Sequence, residues 1–382
     1  MKNISNYIAE ETRGKSYKSH KYCLDNFEIP SEQYDKDQKI TVKKIGETAP
    51  IQITKNLIED AKRIQLISKP LFKYFLDGSR KTYKVDDIAY NKRVYPIMAG
   101  QIGVGCCERK ENKELVRKII EHTKVIVLPD CADKDGRELY FNNLVLKINK
   151  LQMLKKLNIQ FNKILSYHDR DLQEGEKYEN LGVAKIQNEM MDNEKKTVAL
   201  LTKENFLNED TYLIKDGSLE YQKMKTGNYK DLSKIKSNYR RVVGVSKSFN
   251  PERCIDNRGK SNAKIIAELK LYHRTPAYMF ESSRASNVRF AIWYLRIRDI
   301  KYTVSPFDGI LKVEKILVTN AEQEFGLETE EVDLISANLI NERNPVCYGK
   351  DSRWANHLYP VYLTETYIKS GYLSNEFFIN LF

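Results

Sequence analysis

Phe75-Leu76-Asp77-Gly78-Ser79 closes an apolar run that begins at Lys73, and Ile214-Lys215-Asp216-Gly217-Ser218-Leu219 closes a second run. Each run reads as a buried strand ending on an aspartate and a glycine, which puts a carboxylate at the edge of a sheet. Two such strands side by side aim two carboxylates at one point, an arrangement that holds a hard divalent cation. One Asp-Gly-Ser triplet is ordinary turn chemistry, its aspartate satisfying nearby amides. Two of them, with a glutamate-bearing helix between, support a cation site as well as they support turns.

Outward from these triplets the periodicity predicts helices over 54–68, 111–122, 143–157 and 178–204. On the last of these Val183, Ile186, Met190, Thr197 and Leu201 share a face. Strands are predicted over 73–77, 94–104, 124–128, 159–167, 211–216, 239–247, 288–297 and 311–316, then helices over 321–341 and 359–370. Gly100, Gly103 and Gly105 suggest a bend or bulge in the second strand. The expected class is α/β, a mixed central sheet flanked by helices. Residues 1–50 read as an irregular N-terminal extension, and 51–382 as the main domain.

With 382 residues, 30% charged and 41% hydrophobic, the composition is globular and long enough for one large core. No apolar stretch approaches the roughly 18 to 20 residues of a membrane span. Met1-Lys2-Asn3-Ile4-Ser5-Asn6-Tyr7 lacks the apolar segment of a signal peptide. A cytoplasmic protein with no membrane association is expected. The six cysteines contain no CxxC pair, which argues against a zinc site or a disulfide framework.

The net charge is +12 and unevenly spread. Residues 139–168 carry Lys147, Lys150, Lys155, Lys156 and Lys163 and no acid. Residues 221–248 carry Lys223, Lys225, Lys230, Lys234, Lys236, Arg240, Arg241 and Lys247 against Asp231, with Tyr221, Tyr229 and Tyr239 interleaved. Cations for phosphates and aromatics for bases suit single-stranded nucleic acid, and an ordinary solvated face fits equally well. The acidic stretch from Glu322 to Asp333 is a surface nucleic acid would avoid.

The chemistry-bearing set is Asp77, Glu189 and Asp216. Glu189 precedes Met190 and so flanks the apolar stripe of its helix, which Glu179, Asp192 and Glu194 share. Three carboxylates of this kind can hold one or two Mg²⁺ or Mn²⁺ ions, which activate a water and stabilise the leaving oxygen of a phosphodiester. Gly100-Gln101-Ile102-Gly103-Val104-Gly105 has the wrong spacing for a dinucleotide fingerprint. The segment 130–136 fits a surface turn better than a calcium loop. Arg274, Arg289, Arg296 and Arg298 could track a phosphate backbone or line a solvated face.

The order strand-Asp-Gly-Ser, helix with glutamate, strand-Asp-Gly-Ser-Leu, then Arg241-Val242-Val243-Gly244-Val245-Ser246-Lys247 resembles the NurA family of nucleases. Leu358-Tyr359-Pro360-Val361-Tyr362-Leu363-Thr364-Glu365-Thr366 is similar to that family's Tyr-Pro-x-x-Leu helix entry. The resemblance is one of motifs and spans about 73–368, leaving 115–167 unmatched, within an expected insertion at about 110–170. It implies an RNase H-like fold, Mn²⁺- or Mg²⁺-dependent nuclease activity on DNA, a homodimer, and a HerA-like hexameric ATPase partner.

By position, Asp77 matches the family's first acid, Glu189 its helical acid, Asp216 the acid of its second strand, and Lys247 a lysine suited to a phosphate contact. Arg240 and Arg241 join Lys247 as nucleic-acid candidates. The family usually places a histidine after its Tyr-Pro-x-x-Leu, where this chain has Thr366-Tyr367. Glu365 or His357 could supply the fourth ligand or a proton shuttle, or the position is unfilled. The resemblance thus implies a metal-dependent DNA endo- or exonuclease working in end processing or anti-phage defence. The alternative is a nucleic-acid-binding subunit that keeps the fold and lacks catalysis. A third reading, an Argonaute PIWI-like domain, shares the core but demands a guide-binding pocket that the sequence does not reveal.

Overall fold

The computed structural model describes residues 3–26, 42–49, 51, 53–67, 70–111, 113–133, 138–208, 211–220, 229–254, 260–281, 288–343 and 352–382. The chain enters through α1 (Ile4–Thr12), β1 (Lys15–Tyr17), β2 (Tyr22–Cys23), β3 (Val42–Ile45), β4 (Lys55–Asn56) and α2 (Ile58–Ile67). Three long strands follow, β5 (Phe72–Tyr90), β6 (Arg93–Arg109) and β7 (Leu115–Pro129). Helices α3 (Glu138–Ile148) and α4 (Gln152–Lys156) lead to β8 (Lys163–Tyr167). The long α5 (Tyr178–Lys203) crosses to β9 (Tyr212–Asp216), and α6 (Tyr229–Tyr239) leads to β10 (Val242–Ser246). The remainder is α7 (Ala263–Ala267), β11 (His273–Arg274), β12 (Tyr278–Glu281), β13 (Arg289–Arg296), β14 (Ile310–Ile316), α8 (Asn320–Phe325), α9 (Thr329–Asn341), α10 (Tyr359–Lys369) and α11 (Asn375–Ile379).

One mixed sheet runs β3-β12-β13-β14-β10-β9-β5-β6-β7-β8. At its centre β5, β6 and β7 form an antiparallel meander, while β9 pairs parallel to β5 and β10 parallel to β9. This central order, β7-β6-β5-β9-β10 with two parallel strands added after a helical crossover, is the arrangement expected of an RNase H-like core.

The strands alternate between two apolar layers. Tyr74, Leu76, Leu213 and Val242 pack with Ile186, Met190, Val198 and Leu201 of α5. Phe75, Ile214, Val243 and Val245 pack on the opposite side with Val332, Ile335 and Leu339 of α9 and Val361 of α10. Successive residues of a strand point to opposite faces, so this alternation assigns each polar residue at a strand end to one layer or the other.

The structure revises several sequence expectations. Residues 115–122 are strand, not helix, and merge with 124–128 into β7 because β6 offers a pairing edge along that length. The N-terminal segment is not irregular throughout: Ile4 and Ile8, one helical turn apart, bury completely and hold α1 against the core. The glycines of β6 give room rather than a bulge at their own positions. A side chain on Gly100 would strike Ile186 of α5, and one on Gly103 or Gly105 would strike Ile368 of α10.

The four arginines read either as a phosphate track or as a solvated face all make contacts within the chain. Arg274 is fully buried, with its guanidinium on Glu47 and Asp333, and Arg296 donates to the backbone oxygens of Ala267, Pro306 and Asp308. Arg289 donates to the Gln323 backbone oxygen, and Arg298 lies over the Trp354 ring. The acidic stretch is likewise engaged: Glu322 closes a capping box with Thr319, Glu331 accepts from Tyr212, and Asp333 binds Lys55. The described cysteines are all free thiols, Cys347 lying outside the described residues. No described helix is long and apolar enough to cross a membrane.

Candidate active site

The first Asp-Gly-Ser is not a strand end. β5 continues thirteen residues beyond Asp77 to Tyr90, with Asp77 paired to Gly105 of β6. What ends near this point is the parallel neighbour, because β9 pairs with β5 as far as Leu76 and Lys215 and stops at Asp216. Asp77 therefore still lies at a lip of the sheet. The second triplet is a true turn: Gly217 adopts φ +81°, a left-handed conformation natural to glycine. Glu314 of β14 clamps it, accepting from Ser218 Oγ and Leu219 N, each at 2.8 Å.

Alternation places Asp77 with Phe75, and Asp216 with Ile214, on the layer shared with α10. Asp77 is 4% exposed. Burial raises its pKa well above the usual range, and the Asp216 and Glu365 carboxylates push further in that direction against the pull of Lys247. Lys247 Nζ donates to Asp216 Oδ2 at 3.1 Å. Burial disfavours the Lys247 ammonium, yet Asp216, Asp77 and Glu365 outweigh it and raise its pKa. The Lys247 backbone oxygen accepts from Asn356 Nδ2 at 2.7 Å, which anchors the chain after β10. Glu365 stands on α10 and pairs with Lys369 one turn on, at 2.6 Å.

The other layer carries a separate ion pair. Lys215 Nζ lies 3.1 Å from Glu194 Oε2, both side chains almost fully buried. Burial raises the Glu194 pKa, Lys215 opposes it, and Asp216 adds to it. Lys215 also donates to the Ser218 backbone oxygen at 3.2 Å, so it ties α5 to the turn.

Asp77, Asp216, Glu365 and Lys247 are thus brought together. Glu189 is not: its carboxylate accepts from Lys163 of β8 at 2.9 Å. The acid α5 brings nearest is Glu194, five residues on, which is about 140° around the helix and 7.5 Å along it. His357 is buried in the turn before α10, its ring stacked on Tyr362. Arg241 leaves from the opposite end of β10 to Lys247, about 20 Å away at strand rise, and donates to the Tyr212 hydroxyl. Arg240 lines a polar cleft with Asn205, Asn208 and Asn238 at that same far end. Tyr221, Lys223 and Lys225 of the basic tract lie outside the described residues.

Glu194, Lys215, Glu314 and Asn356 were not singled out from the sequence. Glu194 did carry a signal: it occupies the position between Met190 and Thr197 in the apolar stripe, where a charge needs a reason. Lys215 did too, as a lysine inside a buried strand. Nothing local marks Asn356.

Carboxylate oxygens are the donor type a hard divalent cation takes. Three carboxylates share one layer, one of them buried, and the Lys247 ammonium lies against another. Among the described residues no three Asp, Glu, His or Cys groups stand close enough to ligate one ion as the side chains lie. The charge these acids share is that of Lys247.

No protein-family model matches the chain, and no curated protein does. Among solved structures the NurA nuclease from Sulfolobus solfataricus is similar over 90% of each chain, with 9% identity and a TM-score of 0.41. At that TM-score the match carries no weight by itself, and the site is read from its own geometry.

Proposed function

We propose that the chain is a divalent-metal-dependent nuclease acting on DNA. The observation that carries this reading is the buried Asp77 carboxyl beside the Asp216–Lys247 pair at the end of the parallel strand β9. Asp77 and Asp216 would hold Mn²⁺ or Mg²⁺, with Glu365 beside them. When bound there, such an ion supplies a lowered pKa for an attacking water and charge stabilisation for the leaving oxygen. Lys247 presents an ammonium to the scissile phosphate, and Asn356 fixes the backbone it projects from. Glu314 and Gly217 hold the turn that sets Asp216. Burial of Asp77 excludes water and strengthens every charge interaction in the site.

The test is cleavage of labelled single- and double-stranded DNA with Mn²⁺, comparing wild type with Asp77→Ala and Asp216→Ala. Both variants should lose activity, and wild-type rates in both would remove the proposal. The partners, a HerA-like ATPase and a second copy of the chain, are supported by the motif resemblance, as are end processing or anti-phage defence as settings. Light scattering and co-purification with the product of a neighbouring ATPase gene test the partners. A second reading is a binding subunit without catalysis. It is favoured by Lys247 lying directly on Asp216, and it predicts salt-dependent DNA binding with no Mn²⁺ uptake.

A further inference from the structure

We propose that Glu108 organises an oligophosphate-binding site from the ammoniums of Lys73, Lys110 and Lys118. The ground is three cations converging on one carboxylate. Lys110 and Lys118 lie 2.9 and 3.3 Å from Glu108 Oε2, and Lys73 lies 3.6 Å from Oε1. Among the described residues no second carboxylate pairs with any of the three. Two positive charges are therefore left over at one point, and like charges held that close repel one another. Other cations of β5 are not left in this way: Lys84 is met by both Asp87 and Glu179, and Arg80 by Asp25. An anion with several charged oxygens takes up such a surplus, each ammonium acting as a point charge on a phosphate oxygen.

The sheet itself builds the cluster. Glu108 of β6 stands directly opposite Tyr74 of β5, on the layer covered by α5, and is 5% exposed. Burial works to raise its pKa, but Lys110 and Lys118 outweigh it and hold the carboxyl below its ordinary value. The register of β6 and β7 shifts between Cys106 and Cys107, and the extra residue on β7 is Lys118. Its ammonium lies 3.8 Å from the centre of the Phe206 ring, which packs on Tyr74 at 6.1 Å. Lys73 lies 5.8 Å from the Tyr74 ring centre. Lys73 and Lys110 stay half-exposed, so an incoming ligand can reach them. Asp77 lies three residues further along β5 and on the other layer, so this site does not depend on the nuclease reading.

The experiment is calorimetric titration of the full chain with inorganic tripolyphosphate in metal-free buffer. Wild type should bind one anion per chain. Lys118→Gln should weaken binding by about tenfold, the worth of one charge-assisted contact, and Lys110→Gln/Lys118→Gln should weaken it further. Glu108→Gln removes the one negative charge facing the anion and should tighten binding. Lys155→Gln/Lys156→Gln, which takes the same charge from α4, should leave the affinity unchanged. No binding by wild type, or equal losses in the two double variants, overturns the proposal. The lysine variants decide the matter should Glu108→Gln fail to fold. A labelled oligothymidylate titrated in parallel separates the sources of phosphate. If tripolyphosphate displaces it from wild type but not from Lys110→Gln/Lys118→Gln, the site is supported as one for a nucleic-acid backbone. Tripolyphosphate binding without displacement supports it as one for a free oligophosphate.

Discussion

Gly78 and Glu194 meet across the β5–α5 interface, where a Cβ built on Gly78 would lie 2.4 Å from Glu194 Oε1. The glycine of the first Asp-Gly-Ser is therefore required by the carboxyl packed over it. Gly78→Ala must push Glu194 off Lys215 or shift α5. A loss of about 2 kcal/mol is expected for such overpacking beside a buried ion pair. Urea denaturation measures it, and an unchanged midpoint would show that Glu194 moves aside freely.

Asp77 should be a site of stored instability. Burial and the neighbouring Asp216 and Glu365 raise its pKa, so the unfolded chain loses this proton at lower pH than the folded one. The associated stability is present below the unfolded value, near 4, and is lost as pH rises toward the folded value. Asp77→Asn cannot ionise and escapes that loss. In metal-free buffer it should melt above wild type at neutral pH, with the gap closing toward pH 4. Its DNA cleavage should fall by roughly 100-fold or more. A neutral-pH melting point at or below wild type would contradict the burial argument.

Glu314 has the opposite sign. Burial works to raise its pKa, but the Lys312 ammonium, the Leu219 amide and the Ser218 hydroxyl outweigh it, and the net shift is downward. Its stabilisation is present above the unfolded value, about 4.3, and is lost as pH falls through the folded value. Glu314→Ala removes a carboxylate from the buried Lys312 ammonium and frees the turn behind Asp216, so about 3 kcal/mol should be lost at neutral pH. Chemical denaturation at pH 7 and pH 3.5 should show the difference shrinking in acid.

The two ends of β10 should separate in a mutational comparison. Lys247→Ala should slow DNA cleavage by about 10- to 100-fold, as expected for loss of one charged donor at a reacting phosphate. Arg241→Ala removes a guanidinium that bonds and stacks on Tyr212. It should lower stability by about 1 kcal/mol and change the cleavage rate of the folded fraction less than twofold. Equal rate losses in both variants would mean that DNA reaches the far end of the sheet.

Glu189→Gln and Glu194→Gln form a matching pair on α5. The Glu189 ion pair uses a half-exposed lysine, so its removal should change both stability and cleavage little, by less than about 0.5 kcal/mol in stability. Glu194→Gln unbalances buried Lys215 and should destabilise by about 3 kcal/mol. Thermal melts of the two variants side by side check the order.

Much of the fold was legible from local pattern. The long α5 and the strands β9, β10, β13 and β14 fall where periodicity predicts them, because each has an apolar face dictated by its own spacing. The reading failed where partners decide. Residues 115–122 became strand only because β6 offers an edge, and α6 was missed because its short polar sequence shows no apolar run. At the site, the strand acids Asp77 and Asp216 announce themselves by following buried runs. The helical acid cannot, since Glu179, Glu189, Asp192 and Glu194 are equivalent until the helix is docked.

By itself, then, the sequence determined that two aspartates end up beside parallel apolar strands and that a lysine follows the next strand. That information is carried by a period of two along each strand, which is local. Only the tertiary structure decided which layer each charge joins, with Glu189 turned to Lys163 and Glu194 to Lys215. It also set Asn356 and Glu314 behind the two loops, and made Lys247 the cation shared by three acids. These choices depend on how far each element slides along its neighbours, and that distance is set by packing between segments well separated in the chain.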